Sequence, residues 1–375
     1  MKIAIDVRRL ADFGVGTYIR NLVRTLYRKD QRNQYVLLGD PEAVGEIGER
    51  PENFTCIAAP GPDNSLRHQF RMYMLLRERR VDLLHVPHST LPLRLPCRYV
   101  VTVHDLADHL FPTENGFRRT IGTYLTRRAL ARASRIIAVS RATRLDLTGF
   151  FGIPQAKIEV VHNAIDERFR RRCTFEEKKL VLERYGVNYP FALYAGNVKR
   201  QKNLARMIEA FAVLKGKLRQ HPVYADLKLI VIGDELSKHA DLRRTVVKTR
   251  IQNDVRFLGF VPVEVLRVFY SAAEVFVFPS LYEGFGLPPL EAMAQGTPAV
   301  VSNVSSLPEV VGNAAMLVNP DNIFDIARGI ERVLLDPEAR RLLHERGLEQ
   351  VRRFSWDWSV ERVLEIYQQA VADQQ

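Results

Sequence analysis

Short runs of β-branched and aromatic residues alternate with helical patterns along this 375-residue chain, and the alternation restarts once near its middle. The first series of strand-like runs is Ile3–Val7, Tyr35–Leu38, Phe54–Ala58, Leu83–Val86, Tyr99–Val103, Arg135–Val139 and Ile158–Val161. The second series is Phe191–Ala195, Leu227–Ile232, Val255–Leu258, Val275–Pro279, Pro298–Val301 and Ala315–Val318. Strands that alternate with helices are typical of parallel sheets. The pattern therefore predicts an α/β protein with two doubly wound, Rossmann-like domains.

The charged segment Glu167–Lys179 has no apolar periodicity and separates the two series. We therefore predict an N-terminal domain over 1–166, a linker over 167–189 and a C-terminal domain over 190–353. A last helical pattern over 354–375 has Ser355 as its expected N-cap, and we expect it to pack back on the N-terminal domain. Because ligands bind at the carboxyl ends of parallel strands, functional motifs should follow the strands and face a cleft shared by both domains.

Composition excludes several protein classes. Apolar residues make up 46% and charged residues 26% of the chain, which is close to the globular average and argues against fibrous or disordered proteins. No leader pattern precedes the first strand, and no run of apolar residues is long enough to span a bilayer. Cys56, Cys97 and Cys173 show neither metal-ligand spacing nor an even disulfide framework. We therefore expect a cytoplasmic protein.

The positive charge is concentrated in the first half of the chain. Of the formal net charge of +12, residues 1–160 contribute +9, from 25 basic and 16 acidic residues. Such asymmetry suits an anionic partner, for which a membrane surface, a pyrophosphate-linked lipid and a nucleic acid are all candidates; a solvated basic face is the simpler alternative. Aromatic residues are not interleaved with the arginines and no helix-turn-helix signal is present, so we expect no nucleic-acid partner.

A possible membrane contact lies within Phe117–Ile137. On a continuous helix the basic residues would share one face, and the apolar residues would supply area for the bilayer interface. These residues are Arg128, Arg132 and Arg135, and Ile121, Tyr124, Leu125 and Leu130. A basic face over an ordinary core helix fits the same periodicity.

The first candidate ligand motif is the pair Gly14 and Gly16, which follows the first strand and opens a helix. Glycines at a helix start leave backbone N–H groups free to approach a phosphate, and the helix dipole favours its negative charge. The dinucleotide fingerprint requires a third glycine where this chain has Ile19. Phosphate binding and a simple tight turn are equally compatible with this motif.

A second motif follows the first strand of the second domain, where Lys199, Arg200 and Lys202 precede a helix that starts near Asn203. Cations at a strand-to-helix junction can meet a bound diphosphate together with the helix N-terminus. A solvated basic loop is the alternative, and either Lys199 or Arg200 could be the second phosphate cation.

The third motif runs from Glu283 to Glu291 and is the most specific signal in the chain. Pro288 and Pro289 suit a first helical turn, so Glu291 should lie early in a helix and Glu283 in the glycine-rich loop before it. A carboxylate near a helix N-terminus can accept hydrogen bonds from a vicinal diol, and the glycine N–H groups can hold phosphate or sugar oxygens. Helix capping by Glu291 and an exposed loop charge at Glu283 are the structural alternatives.

A fourth motif ends a strand with His104 and Asp105, while His85 and His88 lie at another strand end and His109 follows nearby. A single histidine is more often packed than catalytic, but several at one sheet edge favour function. No zinc-protease or nucleophile-elbow pattern occurs.

These residues resemble the retaining family 4 glycosyltransferases of the GT-B fold, especially bacterial mannosyltransferase-like members that build surface polysaccharides. The resemblance covers nearly the whole chain. It rests on Gly14–Gly16, Asp82–His88, Val103–Leu106, Val161–Asp166, and the Glu-x7-Glu signature Glu283–Glu291 with its continuation to Ser302. Two positions depart from the family: Asn197 stands where it often has arginine, and Ala164 replaces a glycine.

The resemblance implies that a sugar passes from a nucleotide-sugar to a glycan or lipid-linked acceptor with retention of configuration, and GDP-mannose is the expected donor. Glu291 would bind the ribose diol, and Glu283 the hydroxyls of the transferred sugar. His104 would contact the reacting sugar and its leaving group. Lys202 with Gly16 would hold the diphosphate, and Lys199 would replace the missing arginine. The remaining donor contacts are expected at Gly14, Gly284, Phe285, Gly286 and Leu287.

No cofactor is expected, because none of the 19 aspartates forms the Asp-x-Asp pair that clamps a divalent metal on the donor in the other major glycosyltransferase fold. A sugar-nucleotide epimerase or a glycogen-type phosphorylase of the same fold is the alternative enzyme. A nucleic-acid-binding protein is the alternative from another class.

Overall fold

The computed structural model describes residues 1–12, 14–59, 66–88, 95–111 and 117–372. It divides into two compact units. Unit 1 consists of Met1–Ala164 together with Phe354–Gln375, and unit 2 is Ile165–Arg353.

Seven strands form one parallel sheet in the described part of unit 1. They are β1 (Lys2–Asp6), β2 (Gln34–Gly39), β3 (Phe54–Ala58), β4 (Leu83–Val86), β5 (Arg98–Val103), β6 (Arg135–Ala138) and β7 (Ile158–Val160). Their order is β3-β2-β1-β4-β5-β6-β7, so β1 and β4 are the neighbours at which the chain reverses direction across the sheet. In a doubly wound sheet this switch point is where a ligand-binding crevice forms.

The helices of unit 1 cover this sheet. They are α1 (Val15–Lys29), α2 (Pro41–Gly45), α3 (Leu66–Glu78), α4 (Ala107–Leu110), α5 (Phe117–Arg132), α6 (Arg141–Phe151) and, from the C-terminal segment, α15 (Trp356–Ala372). Helices α3, α5 and α6 bury Met72, Leu130 and Leu147 in one apolar cluster with strand residues such as Val101. These three helices therefore share a core.

Unit 2 is built the same way, with six described strands in a parallel sheet of order β10-β9-β8-β11-β12-β13. The strands are β8 (Phe191–Ala195), β9 (Lys228–Ile232), β10 (Val255–Gly259), β11 (Val275–Phe278), β12 (Ala299–Ser302) and β13 (Ala315–Val318). The helices are α7 (Phe175–Arg184), α8 (Leu204–Leu218), α9 (Ala240–Thr249), α10 (Val263–Ala272), α11 (Leu287–Ala294), α12 (Leu307–Val311), α13 (Ile323–Leu335) and α14 (Pro337–Arg352). The predicted fold class, two doubly wound α/β domains, is confirmed.

The segment 167–189, which we expected to be a linker, belongs to unit 2 and contains helix α7. This helix begins with a capping box, in which Thr174 and Glu177 each bond the other's backbone N–H. None of its residues is fully buried. A helix that buries no apolar face has no apolar periodicity, so this pattern could not reveal it in the sequence.

The helix predicted over Phe117–Ile137 ends at Arg132, because Arg135 begins β6 and pairs with Val100 of β5. Arg135 therefore does not share a helical face with Arg128 and Arg132, and that part of the prediction is wrong. Leu130 is buried in the core, whereas Ile121 and Tyr124 are exposed.

The C-terminal helix α15 packs on α1, β4 and β5 of unit 1. Ser355 caps it by accepting a hydrogen bond from the backbone N–H of Asp357. Lys29 of α1 forms an ion pair with Glu361, and Arg98 of β5 donates to the backbone oxygen of Ala370. The contacts therefore run along the whole length of the helix.

Candidate functional site

The loop between β11 and α11 carries both carboxylates of the Glu-x7-Glu signature. Gly286 caps α11 with a φ of 103°, a left-handed conformation that favours glycine. A Cβ atom at this position would also lie 2.6 Å from Cδ2 of Leu307. The helix then starts with prolines in its first turn, which places Glu291 as its fifth residue and Glu283 in the preceding loop, as predicted.

Lys202 and Glu283 form a direct ion pair. The Nζ atom of Lys202 donates to both carboxylate oxygens of Glu283, at 2.6 and 2.8 Å, and also lies 5.5 Å from the centre of the Phe278 ring. The two side chains are only 15% and 11% exposed. The structure thus brings together two residues that the sequence assigned to different parts of a ligand.

The loops after β8 and β11 are tied to each other by Asn203 and its neighbours. Asn203 has a left-handed φ of 61° and donates from Nδ2 to the backbone oxygens of Pro279 and Pro320. The backbone N–H of Leu281 bonds to the oxygen of Gln201 at 2.7 Å. These bonds hold the segment of Lys202 against the loop of Glu283. Sequence reasoning had treated Asn203 only as a helix start.

The neighbouring cations differ from Lys202. Lys199 and Arg200 are exposed at the start of the short 3-10 helix Arg200–Lys202. The side chain of Asn197, which replaces the family arginine, keeps a buried Oδ1 atom without a hydrogen-bond partner. Only Lys202 among the three predicted cations contacts a signature carboxylate in the described structure.

Glu291 is held by Tyr270, a residue that the sequence did not single out. Tyr270 of α10 donates its hydroxyl proton to Oε2 of Glu291 at 2.9 Å. Burial raises the pKa of the Glu291 carboxyl to about 7; the hydrogen bond from Tyr270 opposes this, while the nearby charge of Asp166 adds to it. Asp166 is itself paired with Arg168. Glu291, which is predicted to bind a diol, thus lies on the mostly apolar helix α11, close to the carboxylate of Asp166.

The backbone of the Glu283 loop is clamped by two serines that follow β12. The hydroxyl of Ser305 donates to the backbone oxygen of Glu283 at 2.6 Å and accepts from its N–H at 3.3 Å. The hydroxyl oxygen of Ser306 lies 2.9 Å from the backbone oxygens of both Glu283 and Phe285, which share its one proton. In the same loop Gly284, Phe285 and Gly286 are buried, and Leu287 is half-buried.

In unit 1, Gly14 and Gly16 open α1 as predicted, with Gly14 as the N-cap at a φ of 81°. A Cβ atom on Gly16 would lie 2.2 Å from the backbone oxygen of Leu10. Close packing therefore requires glycine at position 16 whether or not a phosphate binds there.

His104 follows β5, with its Nε2 atom 3.1 Å from the backbone oxygen of Pro87 and its ring edge-on to Tyr18 at 4.8 Å. Burial lowers the pKa of His104, which favours the neutral imidazole. Its ring is therefore suited to polar contact with a sugar and not to the role of a permanent cation.

A chain of buried polar groups lies behind His104. The hydroxyl of Tyr18 is 3.1 Å from Oγ1 of Thr102, and Nε2 of His85 is 2.8 Å from the same oxygen. Nδ1 of His85 is 2.6 Å from the hydroxyl of Tyr367 on α15. Burial lowers the pKa of His85 to about 3, so this histidine is a neutral link between α15 and β5 and is a structural residue.

A second polar cluster lies at the ends of β1 and β4. The Asp6 carboxylate receives two hydrogen bonds from the Arg8 side chain and lies 3.0 Å from Nε2 of His88. Burial alone would raise the pKa of Asp6, but Arg8 and His88 hold it well below its ordinary value. His109 packs edge-on against Phe151, with the ring centres 5.1 Å apart.

Neither a metal-binding cluster nor a membrane-spanning helix occurs among the described residues. Within the described ranges, no group of three or more His, Cys, Asp or Glu side chains could hold a metal ion. Of the helices that the structure describes, none has the length and apolarity needed to cross a membrane.

Both halves of the chain match known protein families. Residues 14–169 match the family model Glycosyltransferase Family 4, and residues 181–350 match Glycosyl transferases group 1. The O-antigen chain mannosyltransferase B of Escherichia coli is 33% identical over 306 residues, which cover 80% of this chain and 78% of that protein. The serotype-specific mannosyltransferase WbdA of the same species is 31% identical over 70% of this chain, but this match covers only 32% of WbdA.

The fold also matches solved structures. Anabaena HepE, solved in complex with UDP and glucose, superposes with a TM-score of 0.78 over 98% of this chain and 99% of its own, at 18% identity. At that identity the likeness concerns the fold.

Proposed function

This chain belongs to the glycosyltransferases that the family 4 and group 1 models describe, and on that premise we propose that it is a retaining mannosyltransferase. Its donor would be GDP-mannose and its acceptor a glycan or a lipid-linked glycan in surface polysaccharide synthesis. The names of the two Escherichia coli relatives support mannose and favour transfer over epimerisation. The observation that carries the proposal is the ion pair between Lys202 and Glu283, on the loop that leads into the helix of Glu291.

We assign the donor diphosphate to Lys202. Its ammonium group lies on the 3-10 helix after β8 and is paired with the carboxylate of Glu283, which a diphosphate would displace. Lys199, exposed on the same loop, would supply a second cation, and the N-termini of α8 and α1 would add partial positive charge. A leaving diphosphate gains negative charge as the glycosidic bond breaks, and preorganised donors stabilise that charge.

We assign the ribose diol to Glu291 and the hydroxyls of the transferred sugar to Glu283. The carboxylate of Glu291 keeps one oxygen on Tyr270 and can accept from a diol with the other. The N–H groups of Gly284, Phe285, Gly286 and Leu287 lie beside Glu283 and would hold phosphate or sugar oxygens. In unit 1, His104 would contact the reacting sugar, and Gly14 with Gly16 the diphosphate.

Retention would follow from attack on the face from which the diphosphate departs. The bond from the anomeric carbon to the phosphate oxygen breaks, and its electron pair stays on the diphosphate. The acceptor oxygen bonds to the same face, and its proton passes to a phosphate oxygen. The protein's task is then to stabilise charge, which Lys202 and the helix termini can do without a metal ion.

We also propose that unit 1 contacts an anionic membrane surface. On α5, Ile121 and Tyr124 are exposed together with Arg128 and Arg132. On α3, which shares the same core cluster, Phe70 is 65% exposed and Met74 45%. Exposed apolar side chains among arginines suit the interface of an anionic bilayer, where a lipid-linked acceptor would be found.

The function is tested by incubating the purified protein with GDP-mannose, UDP-glucose and other nucleotide-sugars, each with and without a mannan oligosaccharide. We expect GDP release that requires the acceptor, and an α-linked product by NMR, since the mannose of GDP-mannose is α-linked. Conversion of the nucleotide-sugar without acceptor would support the epimerase. A salt-dependent mobility shift with DNA, with no response to any nucleotide-sugar, would support the nucleic-acid alternative.

A further inference from the structure

Ser305 adopts a backbone conformation that serine normally avoids. Its φ is 57°, in the left-handed region that costs most residues with a Cβ atom free energy. The other described non-glycine residues with positive φ have local explanations: Arg80 and Arg250 follow helices, and Asn203 has the amide side chain that tolerates this region. Strain of this kind persists only where the surroundings impose it, and it is often found at functional sites.

The contacts of Ser305 show what this conformation provides. Its hydroxyl can donate one hydrogen bond and accept others, and both kinds of bond go to the backbone of Glu283. It donates to the oxygen of Glu283 and accepts from the N–H of Glu283. Ser306 adds a second bond to the same oxygen. Both backbone polar groups of Glu283 are therefore held by side chains from the loop after β12.

We propose that Ser305 is a positioning residue that fixes the Glu283 backbone for sugar transfer. This inference rests on the proposed function, in which Glu283 contacts the transferred sugar. Because the Glu283 side chain is paired with Lys202 before a donor binds, that side chain must exchange partners when the diphosphate arrives. A clamped backbone keeps the carboxylate in place during that exchange, since a displacement of about 1 Å at a reacting centre can cost about 100-fold in rate.

Two variants separate the hydroxyl from the strain. Ser305→Gly removes the hydroxyl and relieves the left-handed strain, whereas Ser305→Ala removes the hydroxyl and keeps the strain. We expect both variants to lower kcat about 10-fold, with little change in the KM for GDP-mannose. We expect the Tm of Ser305→Gly to lie about 2–4 °C above that of Ser305→Ala. A matched control is Arg250→Gly, which relieves the same strain at the end of α9 and should leave kcat unchanged.

Hydrogen exchange provides a readout that needs no activity. Loss of the Ser305 hydroxyl should accelerate exchange in peptides that span residues 281–287 by about 10-fold or more, and Arg250→Gly should not. Wild-type kcat in Ser305→Gly, or unchanged exchange in that segment, would overturn the proposal. If the wild-type protein transfers no sugar while the exchange effect is present, the proposed function fails and the clamp itself stands.

Discussion

The ammonium nitrogen of Lys202 lies 2.6 Å from one carboxylate oxygen of Glu283 and 2.8 Å from the other. A cation assigned to the donor diphosphate and an anion assigned to the donor sugar therefore neutralise each other in the free protein. Removal of one partner leaves the other charge unpaired in a site that is mostly shielded from water.

This pairing predicts strong coupling between the two residues. Lys202→Met and Glu283→Gln should each destabilise the protein, and the double variant should be more stable than the sum of the two losses predicts. The coupling should be about 1–3 kcal/mol in a urea-denaturation cycle. Additive losses would show that the pair is unimportant for stability.

The two signature carboxylates should fail differently. Glu291→Ala should mainly raise the KM for the donor, because the ribose contact proposed for it would exist in both the ground and transition states. Glu283→Ala should mainly lower kcat, by about 100-fold, because the sugar contact proposed for it would strengthen as charge develops. Steady-state kinetics decide this, with exposed Glu349→Ala as control; wild-type kinetics in both site variants would refute the assigned site.

The raised pKa of Glu291 predicts how stability depends on pH. Its folded pKa of about 7 exceeds the ordinary value of 4.5, so the folded state binds this proton more tightly and loses stability as the pH rises from 4.5 through 7. Glu291→Gln should match the wild type in stability below pH 4.5 and exceed it by about 1–3 kcal/mol at pH 8. The free energies of unfolding are measured in urea from pH 4 to pH 8. A difference between Glu291→Gln and the wild type that stays constant over this range would contradict the prediction.

Catalysis should not require a divalent metal. Dialysis against EDTA should leave the rate of GDP release unchanged, because in the proposed site Lys202, Lys199 and the helix N-termini would balance the diphosphate charge. The assay includes a sample to which Mg²⁺ is returned. Activity that is lost and then restored by Mg²⁺ would overturn the metal-free mechanism and the phosphate role of Lys202.

Membrane contact should depend on anionic lipid and on the exposed face of α5. The protein should float with vesicles that contain phosphatidylglycerol, less so at high salt, and not with phosphatidylcholine alone. Tyr124→Ser should weaken flotation, whereas Phe324→Ser, a similarly exposed aromatic position in unit 2, should not. Equal flotation with both lipids would remove the proposal.

The strands could be predicted because buried parallel strands form short, nearly continuous apolar runs, such as Phe191–Ala195. The candidate loops could be predicted because ligands bind where those strands end. Helix α7 was missed because its side chains are not buried, although the capping-box pair Thr174 and Glu177 was visible in the sequence.

Contacts between loops could not be predicted in the same way. Ser305 and Glu283 are 22 residues apart, and nothing in either segment shows that one clamps the other. Tyr270 meets Glu291 only because α10 and α11 pack together. Arg135 fitted both the strand-like run Arg135–Val139 and a helical spacing of arginines, and pairing with Val100 decides for the strand.

Helix α15 has a consequence for how the chain is made. Ribosomes add about 5–20 residues per second, so residues 165–353 take on the order of 10–40 s to appear after β7. Throughout that interval the hydroxyl of Tyr367 does not yet exist, and His85 lacks its partner at Nδ1. The N-terminal sheet therefore leaves the ribosome before the helix that covers β4 and β5 has been made.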